Sequence, residues 1–254
     1  MSVVRVSHSE GVAELVLDSP ANRNALSIQL RSELYGALRN AAHDSSVRCV
    51  VLSHAGAVFC SGADLKEARG EARDDAAASF TDILVEIWRM PKPVVAAVSG
   101  LARAGGLGLM AACDLVIASS TVTFACTEVR LGVVPAVISA VILPRMTSAS
   151  AHRLFLTGMP VSAHDAASAG LVDVVVDPPD VEDVVRQHTD SFKHAGPDAL
   201  AATKALTRST SAIERLRHEL ADLEALSKRH FSSAEGREGI AAFIEKRAPR
   251  WAVR

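Results

Sequence analysis

The run VVAAVSGLARAGGLGLMAACDLVIAS, Val94 to Ser119, decides how the chain is read. Residues 94–98 and 115–119 are continuous apolar segments of strand length, and between them Gly105 to Ala112 is small and apolar enough for a short helix. Strands with no alternating polar face are covered on both sides, as in the parallel sheets of α/β proteins. The run approaches membrane-span length, but Arg103 and Asp114 interrupt it and four glycines lie around them, so it reads as buried protein core. It also holds Gly106-x-Gly108-x-x-Ala111 with Glu128 about 20 residues on, a formal match to the dinucleotide-binding fingerprint. That fingerprint needs a strand running straight into its first glycine and a helix long enough to cross to the next strand. Here seven residues separate Val98 from Gly106 and Asp114 ends the helix after about two turns, so the match does not carry a nicotinamide cofactor.

Toward the N-terminus, strand signals at 3–7 and 12–17 read as a hairpin, followed by the turn cluster Asp18-Ser19-Pro20-Ala21-Asn22. Ser27 can cap a helix whose Leu30, Leu34, Leu38 and Ala41 recur at helical spacing, and 47–52 is strand-like. Phe80, Ile83, Leu84, Ile87 and Trp88 make a helical stripe that stops at Pro91-Lys92-Pro93. On the other side, helices are expected over 136–146, 148–156 and 163–169, a strand over 171–176, and three or four helices from Val181 to Lys246, among them 197–208 and 211–230. No Gly/Ser linker divides the chain, so the expectation is one α/β core over residues 1–196 carrying a helical region over 197–254. The strands near 48, 94 and 115 each precede a loop of small residues, but at irregular spacing, so no strict repeat is evident.

With 254 residues, 49% hydrophobic and 22% charged, the chain has the composition of a folded soluble protein and can build a core without disulfides or metal. Its formal net charge of -2 leaves no basic excess for a nucleic-acid backbone, and no nucleic-acid or membrane partner is expected. The segment from Thr203 onward is mildly basic, with 11 Lys and Arg against 7 Asp and Glu, which reads either as solvated helix faces or as cations for a small anionic ligand. Cys49, Cys60, Cys113 and Cys126 show no C-x-x-C spacing and sit in apolar stretches, which suits free thiols in a reducing compartment. Residues 1–10 hold no apolar core of signal-peptide length, and a cytoplasmic protein is expected.

Three loops could carry chemistry. Phe59-Cys60-Ser61-Gly62-Ala63-Asp64-Leu65-Lys66-Glu67 and Ser99-Gly100-Leu101-Ala102-Arg103-Ala104-Gly105-Gly106-Leu107-Gly108 each run from a strand through small residues into a helix start, where N–H groups lack intrahelical partners. Two such ends aimed at one point would make an anion site or an oxyanion hole; each alone is equally a tight turn with close packing. In the third, residues 124–135, Glu128 sits among apolar residues, where desolvation would raise its pKa and suit it to proton transfer; a helix-start carboxylate paired with Arg130 is the alternative. The nine histidines form no H-E-x-x-H, and Gly-x-Ser-x-Gly is absent, so metal hydrolysis and serine-triad chemistry have no support.

Together the loops resemble one family, the crotonase or enoyl-CoA hydratase/isomerase superfamily. Residues 19–27 look like its N-terminal CoA-contact loop and 59–65 are similar to its first oxyanion segment. Residues 104–108 with Ala111-Ala112-Cys113-Asp114 match its second, and 235–247 its C-terminal end, so the likeness spans nearly the whole chain. The resemblance implies a spiral of ββα turns, assembled as homotrimers or hexamers through the helical C-terminal region, and an acyl-CoA thioester as substrate. Coenzyme A is then part of the substrate, with no further cofactor and no metal. It implies that Ala63 and Gly105 donate oxyanion-hole N–H groups, and that Ala25, Ser61, Asp64 and Leu65 lie along CoA. Phe243 and Lys246 would reach CoA from the C-terminal helices, often across a subunit boundary. Gly108 and Pro135 would border the substrate pocket.

Glu128 falls on one of the two glutamates that the family's hydratases use to hold and activate water; the other position falls on Gly108. The reading kept is hydration of a 2-enoyl-CoA, because the run from Thr127 to Ser139 resembles family hydratases for branched or unusual substrates. A Δ3,Δ2-enoyl-CoA isomerase with Glu128 as sole proton shuttle, a weak acyl-CoA binder, a thioester hydrolase and a carbon–carbon lyase stay open. Glycine is poor inside a helix, so Gly108 suggests that space beside the substrate is wanted. Leu216, Leu220, Leu223 and Leu226 are apolar positions expected to need a partner surface.

Overall fold

The computed structural model describes residues 2–69 and 78–253. In chain order the strands are β1 (Val4–Ser9), β2 (Val12–Leu17), β3 (Cys49–His54), β4 (Val58–Cys60), β5 (Val94–Val98), β6 (Leu101–Arg103), β7 (Leu115–Ser119), β8 (Thr123–Ala125), β9 (Val161–Ser162) and β10 (Val174–Val176). Six of them form one sheet in the order β1-β2-β3-β5-β7-β10, antiparallel only at the β1–β2 hairpin, and β4-β6-β8-β9 form a second, antiparallel only at β8–β9. The hairpin turns at Glu10 and Gly11, both at positive φ, as a two-residue connection requires.

The helices are α1 (Ile28–His43), α2 (Leu65–Arg69), α3 (Phe80–Arg89), α4 (Gly105–Ala112), α5 (Ala136–Ile142), α6 (Ser148–Thr157), α7 (Ala163–Ser168), α8 (Val181–Lys193), α9 (Pro197–Thr207), α10 (Thr210–Phe231) and α11 (Ala234–Ile244). Their starts follow local chemistry. Ser27 Oγ accepts the Leu30 N–H at the head of α1, and Ser79 and Asp82 form a reciprocal capping box on α3. The chain thus winds three times through strand, short strand and helix: β3–β4–α2, β5–β6–α4 and β7–β8–α5. Each turn gives its longer strand to the first sheet and its three-residue strand to the second, which is a spiral of ββα turns in an α/β protein.

Both faces of the parallel sheet are covered, as its apolar strands require. Val50, Leu52, Val94, Ala96, Val116 and Ala118 face the main core with α1, α3 and α4, while Val51, Val95 and Ile117 meet Val181 and Val185 of α8. The strand expected over 171–176 pairs only from Val174; Leu171 and Val172 are core residues ahead of the ladder.

Two cations of the basic C-terminal segment, Lys204 and Arg208, neither face solvent nor are free for an anionic ligand. The ammonium of buried Lys204 in α9 bonds the carbonyls of Ile87 (3.0 Å) and Lys92 (2.9 Å) and the Asp114 carboxylate (2.6 Å). Arg208 reaches the other Asp114 oxygen at 3.2 Å, donates to the Cys113 carbonyl and stacks over Trp88. Burial pushes the Lys204 pKa down and the Asp114 charge opposes it. The apolar stripe of α10 also differs from expectation: Leu216 and Leu220 are buried, and α10 packs against α3 and α5. The surface these leucines needed is in the same chain.

Candidate active site

β4, β6 and β8 lie side by side and parallel, so their carboxyl ends open on one edge. The loops after them, at 61–64, 104–105 and 126–128, emerge together, where parallel sheets bind ligands.

The first loop is fixed from the N-terminal side. Asn24 is fully buried at φ 51°; its Oδ1 accepts the Ser19 N–H at 2.7 Å, and its Nδ2 donates to the carbonyls of Ala55 (3.0 Å) and Val58 (2.7 Å). This pins residues 19–27 beside β4, so that the Leu26 N–H bonds the Gly62 carbonyl at 2.8 Å and Leu26 bridges Ala63 in parallel. In a parallel bridge one residue supplies both bonding groups; here it is Leu26, which turns the Ala63 N–H away. Gly105 lies close by: a Cβ on that glycine would stand 3.8 Å from the Ala63 nitrogen and 2.8 Å from Leu26 Cδ1. Gly105 opens α4, so its N–H has no intrahelical partner.

Between them sits Ala104 at φ 49°, ψ −124°, a conformation that costs a residue with a side chain about 1–3 kcal/mol. Its N–H bonds the Ala125 carbonyl at 3.0 Å. Arg103, paired in register with Ala125, spans to the Thr123 carbonyl and hydroxyl, so the charge that interrupts the apolar run locks β6 onto β8.

The third loop carries Glu128, the first residue of a 3-10 turn (Glu128–Leu131) closed by Gly132, whose N–H reaches the carbonyls of Glu128 and Val129. Glu128 is 7% exposed and its Oε2 is buried without a hydrogen-bond partner. Burial pushes its pKa up to about 7, so it is part acid and part base near neutrality. Arg130 is not its ion-pair partner: the guanidinium Nε donates to the Thr157 carbonyl at 3.3 Å.

Of the other expected site residues, buried Ala25 and half-buried Ser61 flank the Leu26–Ala63 bridge, with the Ser61 N–H on the Arg23 carbonyl. Asp64 Oδ1 accepts the Lys66 and Glu67 N–H groups and so caps α2, which Leu65 opens. Half-buried Pro135 precedes α5. Phe243, 52% exposed, lies in the last turn of α11, which packs against the Glu128–Leu131 turn, and Lys246 follows two residues beyond its end. Gly108 is buried, but no open space lies beside it: a Cβ there would meet Ile138 Cγ2 at 2.5 Å and Phe80 Cζ at 3.4 Å. Its glycine is required by the close packing of α4 on α5, which corrects the expectation of room for substrate.

Two backbone amides beside one another can both donate to a single carbonyl oxygen, and a carboxyl that titrates near 7 can move a proton on the carbon skeleton behind it. Sequence reading missed Asn24 and Ala104 as positioning residues. Asn24 carried a signal, since asparagine is among the few residues that readily adopt positive φ.

A family profile described as Enoyl-CoA hydratase/isomerase matches residues 7–254. A carnitinyl-CoA dehydratase of Proteus mirabilis is 34% identical over 247 residues, covering 94% of both chains. Enoyl-CoA hydratase domain-containing protein 3, mitochondrial, of Rattus norvegicus is 32% identical, covering 95% of this chain and 82% of its own. Among solved structures, an enoyl-CoA hydratase from Mycobacterium avium superposes with a TM-score of 0.88 at 38% identity, covering 99% of this chain and 100% of that one.

Proposed function

Because the chain belongs to the enoyl-CoA hydratase/isomerase family, we propose that it is a hydratase, adding water across the double bond of a 2-enoyl-CoA through a thioester enolate. The observation that carries this reading is Glu128: a buried carboxyl with one unbonded oxygen and a pKa of about 7. The thioester oxygen accepts the N–H groups of Ala63 and Gly105. Glu128 takes a proton from water as the water oxygen bonds the β-carbon, and the displaced electron pair moves onto the thioester oxygen. The enolate then collapses, taking the proton from Glu128 at the α-carbon. Charge develops on the thioester oxygen during attack, so amides already aimed there stabilise it more than the neutral substrate; loss of one such donor costs ~3–4 kcal/mol in related chemistry. The name of one relative, carnitinyl-CoA dehydratase, describes loss of water, the same step in reverse.

In this reading coenzyme A lies along Ala25, Ser61, Asp64 and Leu65, with Phe243 and Lys246 supplied by a neighbouring subunit of a homotrimer or hexamer. Gly108 and Pro135 back the acyl pocket without opening it. Light scattering tests the assembly, and a monomer in solution overturns it. Four buried free thiols suit a reducing cytoplasm, and among the described residues no helix is long and apolar enough to cross a membrane.

The deciding experiment offers a 2-enoyl-CoA in ¹⁸O-labelled water. Hydration yields a 3-hydroxyacyl-CoA labelled at the β-carbon, and Glu128→Gln loses turnover by ~100-fold or more while still binding acyl-CoA. One observation favours an isomerase instead: Ile138 and Phe80 fill the space at Gly108, leaving one carboxylate, which would take a proton from one carbon and return it to another. A migrated double bond from a 3-enoyl-CoA, with no label from water, selects that reading.

A further inference from the structure

The end of the chain folds back onto the turn that carries Glu128. α11 can lie against this turn because Gly239 has no side chain: a Cβ there would strike the Leu131 carbonyl, while one on Gly236 would strike the His230 carbonyl at the end of α10. Beyond α11, Lys246 at φ 54° reverses the chain. Glu238 holds the returning segment, accepting from Arg247 Nη1 at 2.6 Å and Nη2 at 3.1 Å and from the Arg250 N–H at 3.0 Å. The reversal lays Trp251 across two glycines: Cβ atoms on Gly132 and Gly239 would stand 2.9 and 2.8 Å from the same ring atom, Cη2. Gly132 is the residue whose N–H closes the turn on the Glu128 carbonyl.

We propose that Trp251 is a positioning residue for Glu128, wedging the turn's closing glycine against α11 so that water stays away from the carboxyl. The proposal rests on Glu128 being the group that moves the proton, but its mechanism is burial. Burial is the cause that raises Glu128. The charged groups on the elements packed around the turn are otherwise engaged: Arg130 bonds Thr157, Glu238 is held by Arg247 and Arg250, Arg237 turns to the Ser232 carbonyl, and Arg153 of α6 faces Asp165 at 3.8 Å. Glu235 lays its methylene on Gly132, His152 lies on α6, and burial keeps the Cys126 thiol protonated. With no cation or anion setting the value, loss of the wedge should act through solvent.

The test is a side-chain carboxyl NMR titration of Glu128 in the full-length protein, assigned with Glu128→Gln, for the native chain, Trp251→Ala and Trp251→Phe. The native group should titrate near 7. Trp251→Ala should move it toward the ordinary range by about one pH unit or more, with the acid limb of kcat/KM following, while Trp251→Phe, whose ring ends short of the Cη2 position, should shift it by less. A Trp251→Ala protein that titrates where the native one does overturns the proposal. If that variant does not fold, Glu238→Gln, which loosens the returning segment and leaves the indole intact, should shift Glu128 in the same direction, and no shift there overturns it equally. A native Glu128 titrating near 7 in a protein without hydratase activity would sink the hydratase reading and leave this one standing.

Discussion

Replacing Glu128 by glutamine should stabilise the protein above neutral pH and do far less in acid. The folded carboxyl titrates near 7 and the unfolded one near its ordinary value of 4.5. Between those values the native state binds more protons than the unfolded state, so stability falls as pH rises through the window. At roughly 1.4 kcal/mol per pH unit the full loss is about 3 kcal/mol, of which about 2–3 kcal/mol falls between pH 5 and pH 8. Glutamine cannot ionise and lacks this slope. The quantity to measure is the difference in urea-unfolding free energy between variant and native protein at pH 8, minus the same difference at pH 5; the amide's own packing and hydrogen bonding cancel in the subtraction. In a chain of this length the pH 8 gain corresponds to a melting-temperature rise of roughly 5–10 °C. An equal effect of the substitution at both pH values would refute the burial argument, and with it the account of why this carboxyl can both accept and return a proton.

Ala63→Pro removes one amide donor and should lower turnover by ~100-fold or more, whereas Ala63→Ser, on an exposed side chain, should be mild; equal losses would mean shape matters rather than donation. Lys204→Met leaves the Asp114 carboxylate without its buried ammonium partner and two carbonyls without their donor, and should cost ~3–5 kcal/mol in urea unfolding; a loss below ~1 kcal/mol would show that the clamp does not fasten α9. Gly108→Ala presses a methyl onto Ile138 and should cost ~1–3 kcal/mol, part of which Ile138→Ala recovers in a double-mutant cycle. Strict additivity of the two changes would contradict the contact.

The long elements were legible because their patterns are local. Val94–Val98, Gly105–Ala112 and Leu115–Ser119 lie where the apolar run places them, and Ser27 caps the helix it was expected to cap. The second strand of each ββα turn was not: three residues such as Leu101–Arg103 are too short to show a period, so the repeat stayed hidden behind the uneven spacing of its longer strands. Leu216 and Leu220 showed an apolar face without showing what it meets, because a stripe of leucines looks the same against the chain's own α3 and α5 as against another subunit. At the site, small residues before helix starts marked both amide loops, and an apolar neighbourhood marked Glu128. Gly108 was misread for want of Ile138, thirty positions away, since a missing side chain records equally a cavity or a neighbour that needs the room.

The Ala63 and Gly105 amides lie just after β4 and β6, and the Glu128 carboxyl just after β8. This division bears on how such a protein changes over generations. The proposed donors are main-chain groups, so no ordinary side-chain replacement at Ala63 would delete its N–H; proline is the exception, and Gly105 is held to glycine by the closeness of Leu26. The proposed proton-transfer group, Glu128, is by contrast one codon on a separate loop. On the proposed reading, drift at Glu128 and its neighbours would redirect the fate of the enolate while the amides that stabilise it are inherited intact, and a lineage would explore new reactions without crossing a state that has lost its grip on the thioester.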